Sequence, residues 1–94
     1  MARLSPISGA RIKLRSRHLL EWQELSALQQ TVLTSFRQDC DHKLSLCGED
    51  NIGRFHLRKH QLARITEMMG KHRHTREQLK VRHQRELLAF EQSL

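Results

Sequence analysis

The stretch CGEDNIGRFHLRKHQ, residues 47–61, decides the fold, and it has two readings. In the first, Gly48 ends one helix and Asp50 or Asn51 starts another. Glycine suits the left-handed residue after a helix, and Asp and Asn suit the N-cap. In the second, Cys40, Cys47, His56 and His60 hold a zinc ion, with the two histidines four residues apart on one helical face.

The residues upstream discriminate between them. Leu14, His18, Trp22, Leu25, Leu28, Val32, Phe36, Cys40, Leu44 and Cys47 advance by three or four residues at a time. Their mean step is close to the helical period, so they predict one amphipathic helix over about 10–47. Along such a helix Cys40 and Cys47 stand about 10.5 Å apart. One zinc, with each thiolate ~2.3 Å away, cannot bridge that gap, nor can a disulfide form across it. The zinc reading therefore needs the first helix to end near residue 39 or 40. Its spacings of six residues between the cysteines and eight to the first histidine also depart from the usual two to four and about twelve.

A second helix is expected over about 52–94, with Phe55, Leu62, Ile65, Met69, Leu79, Leu87, Phe90 and Leu94 as its apolar positions. From Leu62 onward the seam steps by threes and fours, near the coiled-coil spacing. His72, Arg76 and His83 interrupt it, and polar seam residues set register or partner choice at a cost in stability. Glu21 and Glu24 lie near enough on the first helix to answer Arg76. Gly70 marks a point where the second helix would kink.

Two helices of similar length joined by a short turn predict an all-α, coiled-coil-like antiparallel hairpin. A turn centred near residue 49 sets Leu44 against Phe55 and Phe36 against Ala63. Trp22, Leu25 and Leu28 then face residues 71–77. Residues 1–9 read as a flexible basic lead-in, with a helix start at Ser5-Pro6 or Ser8-Gly9, and residues 10–94 as a single domain. Hydrophobic residues make up 37% of the 94, and a hairpin buries only one stripe per helix. Such a fold is marginal alone, so self-association or a larger assembly is expected to stabilise it.

The formal charge is +7, from twelve arginines and five lysines against ten acids. That balance favours acidic partners, whether an acidic protein surface or nucleic acid. The candidate contacts are Arg11, Lys13, Arg15, Arg17, Lys71, Arg73, Lys80, Arg82 and Arg85. The basic run of residues 70–85 holds no aromatic residue for base stacking, and no DNA- or RNA-reading signature accompanies it. Sequence-independent electrostatic binding fits this run, and so does a plain solvated face; base-specific reading does not.

Catalytic patterns are missing. Asp39, Cys40, Asp41 and His42 are adjacent, but on one helix they point in different directions. There is no phosphate-binding loop, nucleophile elbow or HExxH, and a hairpin offers no deep pocket for a small-molecule substrate. No cofactor is expected apart from the zinc of the second reading. No apolar run approaches the ~20 residues of a transmembrane helix. Two cysteines make no disulfide framework. These features point to an intracellular, cytoplasmic protein. Residues 1–20 are acid-free and rich in Arg and Ser, a composition that also admits the mitochondrial matrix. The expected function is a non-enzymatic structural or adaptor subunit. It would pack on a partner helix through its apolar seam and dock on an acidic surface, with a protein partner or a second copy as its companion.

Overall fold

The computed structural model describes the backbone of residues 6–94 and the side chains of residues 8–94. Two helices, α1 (Pro6–Leu46) and α2 (Asn51–Gln92), pack against each other as an antiparallel hairpin. The hairpin measures 71 × 25 × 13 Å, with a radius of gyration of 21.4 Å. A compact domain of this length would have a radius near 12 Å. α1 starts at Pro6, earlier than expected, and proline is preorganised for the first helical position. The Ser5 cap and the first part of the lead-in lie outside the described residues. α2 runs through Gly70 as continuous helix.

The turn follows the first reading of residues 47–61. Gly48 adopts φ +57°, the left-handed conformation that costs other residues a Cβ clash. Asp50 is the N-cap of α2, and its carboxylate accepts a hydrogen bond from the Gly53 amide at 3.0 Å. That carboxylate sits so close to Gly53 that an added Cβ would lie 2.5 Å from it. Arg54 folds back and donates to the Gly48 carbonyl at 3.2 Å, satisfying an acceptor that the ended helix leaves open.

Three cross-helix contacts fix the register. The His18 and His83 rings stack at 3.8 Å. Gln29 Nε2 donates to the His72 carbonyl at 3.0 Å. Gln61 Nε2 donates to the Cys40 carbonyl at 3.2 Å. In each pair, residue i lies opposite residue 101 − i, and successive pairs are 11 residues apart. Eleven residues make three turns at 3.67 per turn, close to the 3.6 of a straight helix. The two helices can therefore stay in contact along their length with little supercoiling. The centre line of the seam is mostly polar: its buried residues are His18, Gln61 and His83, with Cys40 as the apolar exception. Leu14, Trp22, Leu25, Leu33, Phe36 and Leu44 flank it on α1, with Leu57, Ile65, Met68, Leu79, Leu87 and Phe90 on α2, all half-buried.

This register corrects the expected pairing. Phe36 lies level with Ile65, not Ala63, and Leu44 with Leu57, not Phe55. A shift of two residues turns a helix by about 200°, which is why Phe55 and Leu62 point outward at 64% and 66% exposure. Leu28, Val32 and Met69 are exposed as well. Gln29, Leu33 and Met68, each a single residue away, take their seam positions. The terminal seam position Leu94 is also exposed. Trp22, Leu25, Phe36, Ile65, Leu79, Leu87 and Phe90 face the seam as expected.

The structure exposes 7910 Å² of surface, against about 5,700 Å² for a compact globule of this mass. No large side chain among the described residues is fully buried. Stability rests on half-buried flanks and three satisfied or stacked polar layers rather than on a sealed core.

Candidate functional site

One pentapeptide pattern, Arg-His-x-x-Glu, occurs at Arg17–Glu21 on α1 and again at Arg82–Glu86 on α2. The antiparallel register brings the two copies face to face, related by a local two-fold axis between the stacked histidines. Within each copy Arg and Glu pair at i, i+4: Arg17–Glu21 at 3.8 Å and Arg82–Glu86 at 3.3 Å. Across the seam Arg17 reaches Glu86 and Arg82 reaches Glu21. His18 Nε2 lies 3.3 Å from Glu86, and His83 Nε2 lies 3.6 Å from Glu21. The Trp22 ring meets His83 edge-on at 6.3 Å.

This cluster shifts its own titration. Burial pushes His83 below its ordinary value, and the neighbouring His18 and Arg82 add to that, since desolvation and nearby positive charge both disfavour imidazolium. The hydrogen bond with His18 holds the Glu86 carboxyl below its ordinary range, with Arg17 assisting. His83 Nε2 is buried without a hydrogen-bond partner. Burial also raises the Cys40 thiol, with Asp39 next in effect, so Cys40 behaves as a small apolar seam residue.

The hairpin has two broad faces. One carries Arg17, Glu21, Leu25, Leu28, Asp39 and Lys43 of α1 beside Glu67, Lys71, Leu79, Arg82 and Glu86 of α2. Every salt bridge among the described residues lies on this paired face, including Lys43–Asp39 at 3.0 Å and Lys71–Glu67 at 3.2 Å. Turning about 100° per residue puts Arg11, Arg15, Trp22, Ser26, Leu33 and Arg37 of α1 on the opposite side. Arg58, Leu62, Ile65, Met69, Arg73, Arg76 and Lys80 of α2 join them. None of these seven cations has a salt bridge, and the only acids sharing this open face are Asp41, Glu77 and Glu91. Two adjoining shallow hollows that share Ser26 and Arg76 form a short groove between the helices on this face, lined by Trp22, Ser26, Gln29, Leu33, Met69, His72 and Arg76.

The residues singled out in the sequence divide accordingly. Arg11, Arg15, Arg73 and Lys80 stand on the open face, while Arg17, Lys71 and Arg82 are engaged in salt bridges on the other. Lys13 lines a hollow on the paired face with Leu14, Arg17 and Phe90. Arg85 lies on the outer back of α2 beside His74 and Val81. His72 and His83 occupy the seam, but Arg76 is exposed at the groove rim. Of the two carboxylates expected to answer Arg76, Glu21 instead pairs with Arg82, and Glu24 lines a hollow with Glu21 and Arg82 on the paired face.

The zinc ligands are not brought together. α1 continues through Cys40 to Leu46, so the early helix end that zinc required is absent. Cys40 faces α2, Cys47 lies half-buried in the turn, and His56 and His60 are exposed on α2. No group of three His, Cys, Asp or Glu side chains among the described residues is placed to hold a metal ion. No helix there is long and apolar enough to cross a membrane.

Sequence reading missed the paired Arg-His-x-x-Glu copies, because their 65-residue separation carries no short-period signal. The pattern itself was the available clue. A third copy, Arg73–Glu77, starts nine residues before the second. Nine residues are half a turn out of phase, so its His74 faces solvent. Comparison with known protein families, with curated proteins and with solved structures found no match.

Proposed function

We propose that the chain is a non-enzymatic structural or adaptor subunit that docks through its open face on an acidic protein surface. One observation carries this reading: the salt bridges are confined to one broad face, and the other keeps its arginines uncompensated. An unpaired arginine on a flat helical face is available for bidentate contact with a carboxylate, with little competition from its own chain. The aliphatic side chains among them favour protein over nucleic acid. Leu33, Leu62, Ile65 and Met69 gain by burial against apolar groups and gain little against phosphates. The exposed surface and thin seam also suit a chain completed by its assembly.

Sequence-independent nucleic-acid binding is the second reading, favoured by Arg73, Arg76 and Lys80 on one stretch of α2. Affinity purification of the tagged chain with and without nuclease separates the two, together with a salt titration of RNA and DNA binding. Docking on protein predicts partners retained after nuclease and weak nucleic-acid binding at low salt. Submicromolar nucleic-acid binding that collapses with salt, with partners lost on nuclease treatment, supports the second reading instead.

A further inference from the structure

We infer that the open face takes a single acidic amphipathic helix, laid along the groove between α1 and α2 to complete a three-helix bundle. The inference rests on the docking reading above and narrows its partner to one shape. The groove between two adjacent helices is a natural seat for a third, because ridges of side chains can interdigitate along it. In line with it lie half-buried apolar groups: Trp22, Leu33 and Leu44 at intervals of 11 residues on α1, and on α2 Ile65 and Leu87, 22 residues apart with the exposed Arg76 at the position between them. An 11-residue interval, or twice it, keeps them in line along a nearly straight axis. One apolar stripe on a third helix would cover them all, and it would complete the burial that the hairpin leaves unfinished.

Charge selects the rest of the occupant. Beyond the groove, Arg15 and Arg37 stand on the α1 side, with Arg73 and Lys80 on the α2 side, none of them in a salt bridge. Carboxylates flanking the apolar stripe of the incoming helix would meet them on both edges, as flanking charges do in coiled coils. The same charges disfavour a second copy packed face to face, since it would set arginines against arginines. Nucleic acid would satisfy the cations and leave the apolar groove uncovered.

Trp22 lines the groove and is the chain's single tryptophan, so its fluorescence reports occupancy directly. The full chain is titrated with a synthetic helical peptide carrying one Leu stripe flanked by Glu, and with a scrambled peptide of the same composition. A single-stranded oligonucleotide serves as the third ligand. The expected result is a saturable Trp22 change with the striped peptide, at least about tenfold tighter than with the scrambled one. The R73E/R76E/K80E variant should lose at least about tenfold in affinity; K13E/R64E should not, since Arg64 follows seam residue Gln61 by three, as Glu86 follows His83, and so lies with Lys13 on the paired face. Equal binding of both peptides would overturn the helix-in-groove inference and leave acidic docking standing. Binding of the oligonucleotide alone would overturn both.

Discussion

The His18 and His83 rings lie parallel, 3.8 Å apart with 13° between their planes, at the centre of a ring of two arginines and two glutamates. Two imidazoles at this distance share the layer comfortably only while they are not both charged. At His83, Arg82 and Arg17 oppose protonation, whereas Glu86 favours it, and the Trp22 ring closes one edge. For His83, burial decides the balance against the proton.

A pH dependence follows. The folded chain holds the His83 proton less readily than the unfolded chain, whose histidine titrates near its ordinary 6.5. Below about pH 6.5 the unfolded state therefore binds more protons, and stability falls with acidification. Glu86 adds a second loss in the same direction below about pH 4.5, because its carboxyl is held low in the fold. Urea midpoints followed by circular dichroism should drop between pH 7.5 and pH 5.5. In His83→Leu that drop should be flattened. An equally steep drop in the variant would assign the pH response to other groups.

The register predicts a contrast between two apolar positions. Phe36 is half-buried opposite Ile65, so Phe36→Ala should cost roughly 2 kcal/mol, below the full core value because the site is half open. Leu62 points outward at 66% exposure, so Leu62→Ala should stay within about 0.5 kcal/mol. Chemical denaturation of both variants checks this. A Leu62 cost equal to that of Phe36 would restore the pairing about residue 49.

Two glycines should respond in opposite senses. Gly48 holds φ +57°, so Gly48→Ala should destabilise by ~1 kcal/mol or more. Gly70 is exposed in mid-helix, and a Cβ there meets nothing within 4 Å. Gly70→Ala should stabilise by about 0.5–1 kcal/mol. Thermal unfolding of the two variants reads both signs.

The hairpin and its turn were legible because they rest on local chemistry: helix-forming composition, a glycine stop at Gly48 and the Asp50 cap. The register was not. The most buried line runs through His18, Gln29, Cys40, Gln61, His72 and His83; the stepping pattern puts His18, Cys40, His72 and His83 on the seam, but hydrophobic periodicity passes over Gln29 and Gln61 for apolar neighbours. Following the apolar residues alone led to Leu28, Val32, Leu62 and Met69, each beside a true seam position. The basic character of the surface was plain in the composition. Its division into a paired and an open face was not, because it depends on which helix sides the register brings together.

The central claim is that the uncompensated face is the docking face. Its most direct test compares three tagged forms of the full chain after nuclease treatment: wild type, R73E/R76E/K80E and K13E/R64E. Each is first shown by circular dichroism to keep its helix content. The open-face variant should lose the acidic partners that wild type and K13E/R64E both retain. Retention of those partners by R73E/R76E/K80E, or their loss from K13E/R64E alone, would contradict the claim.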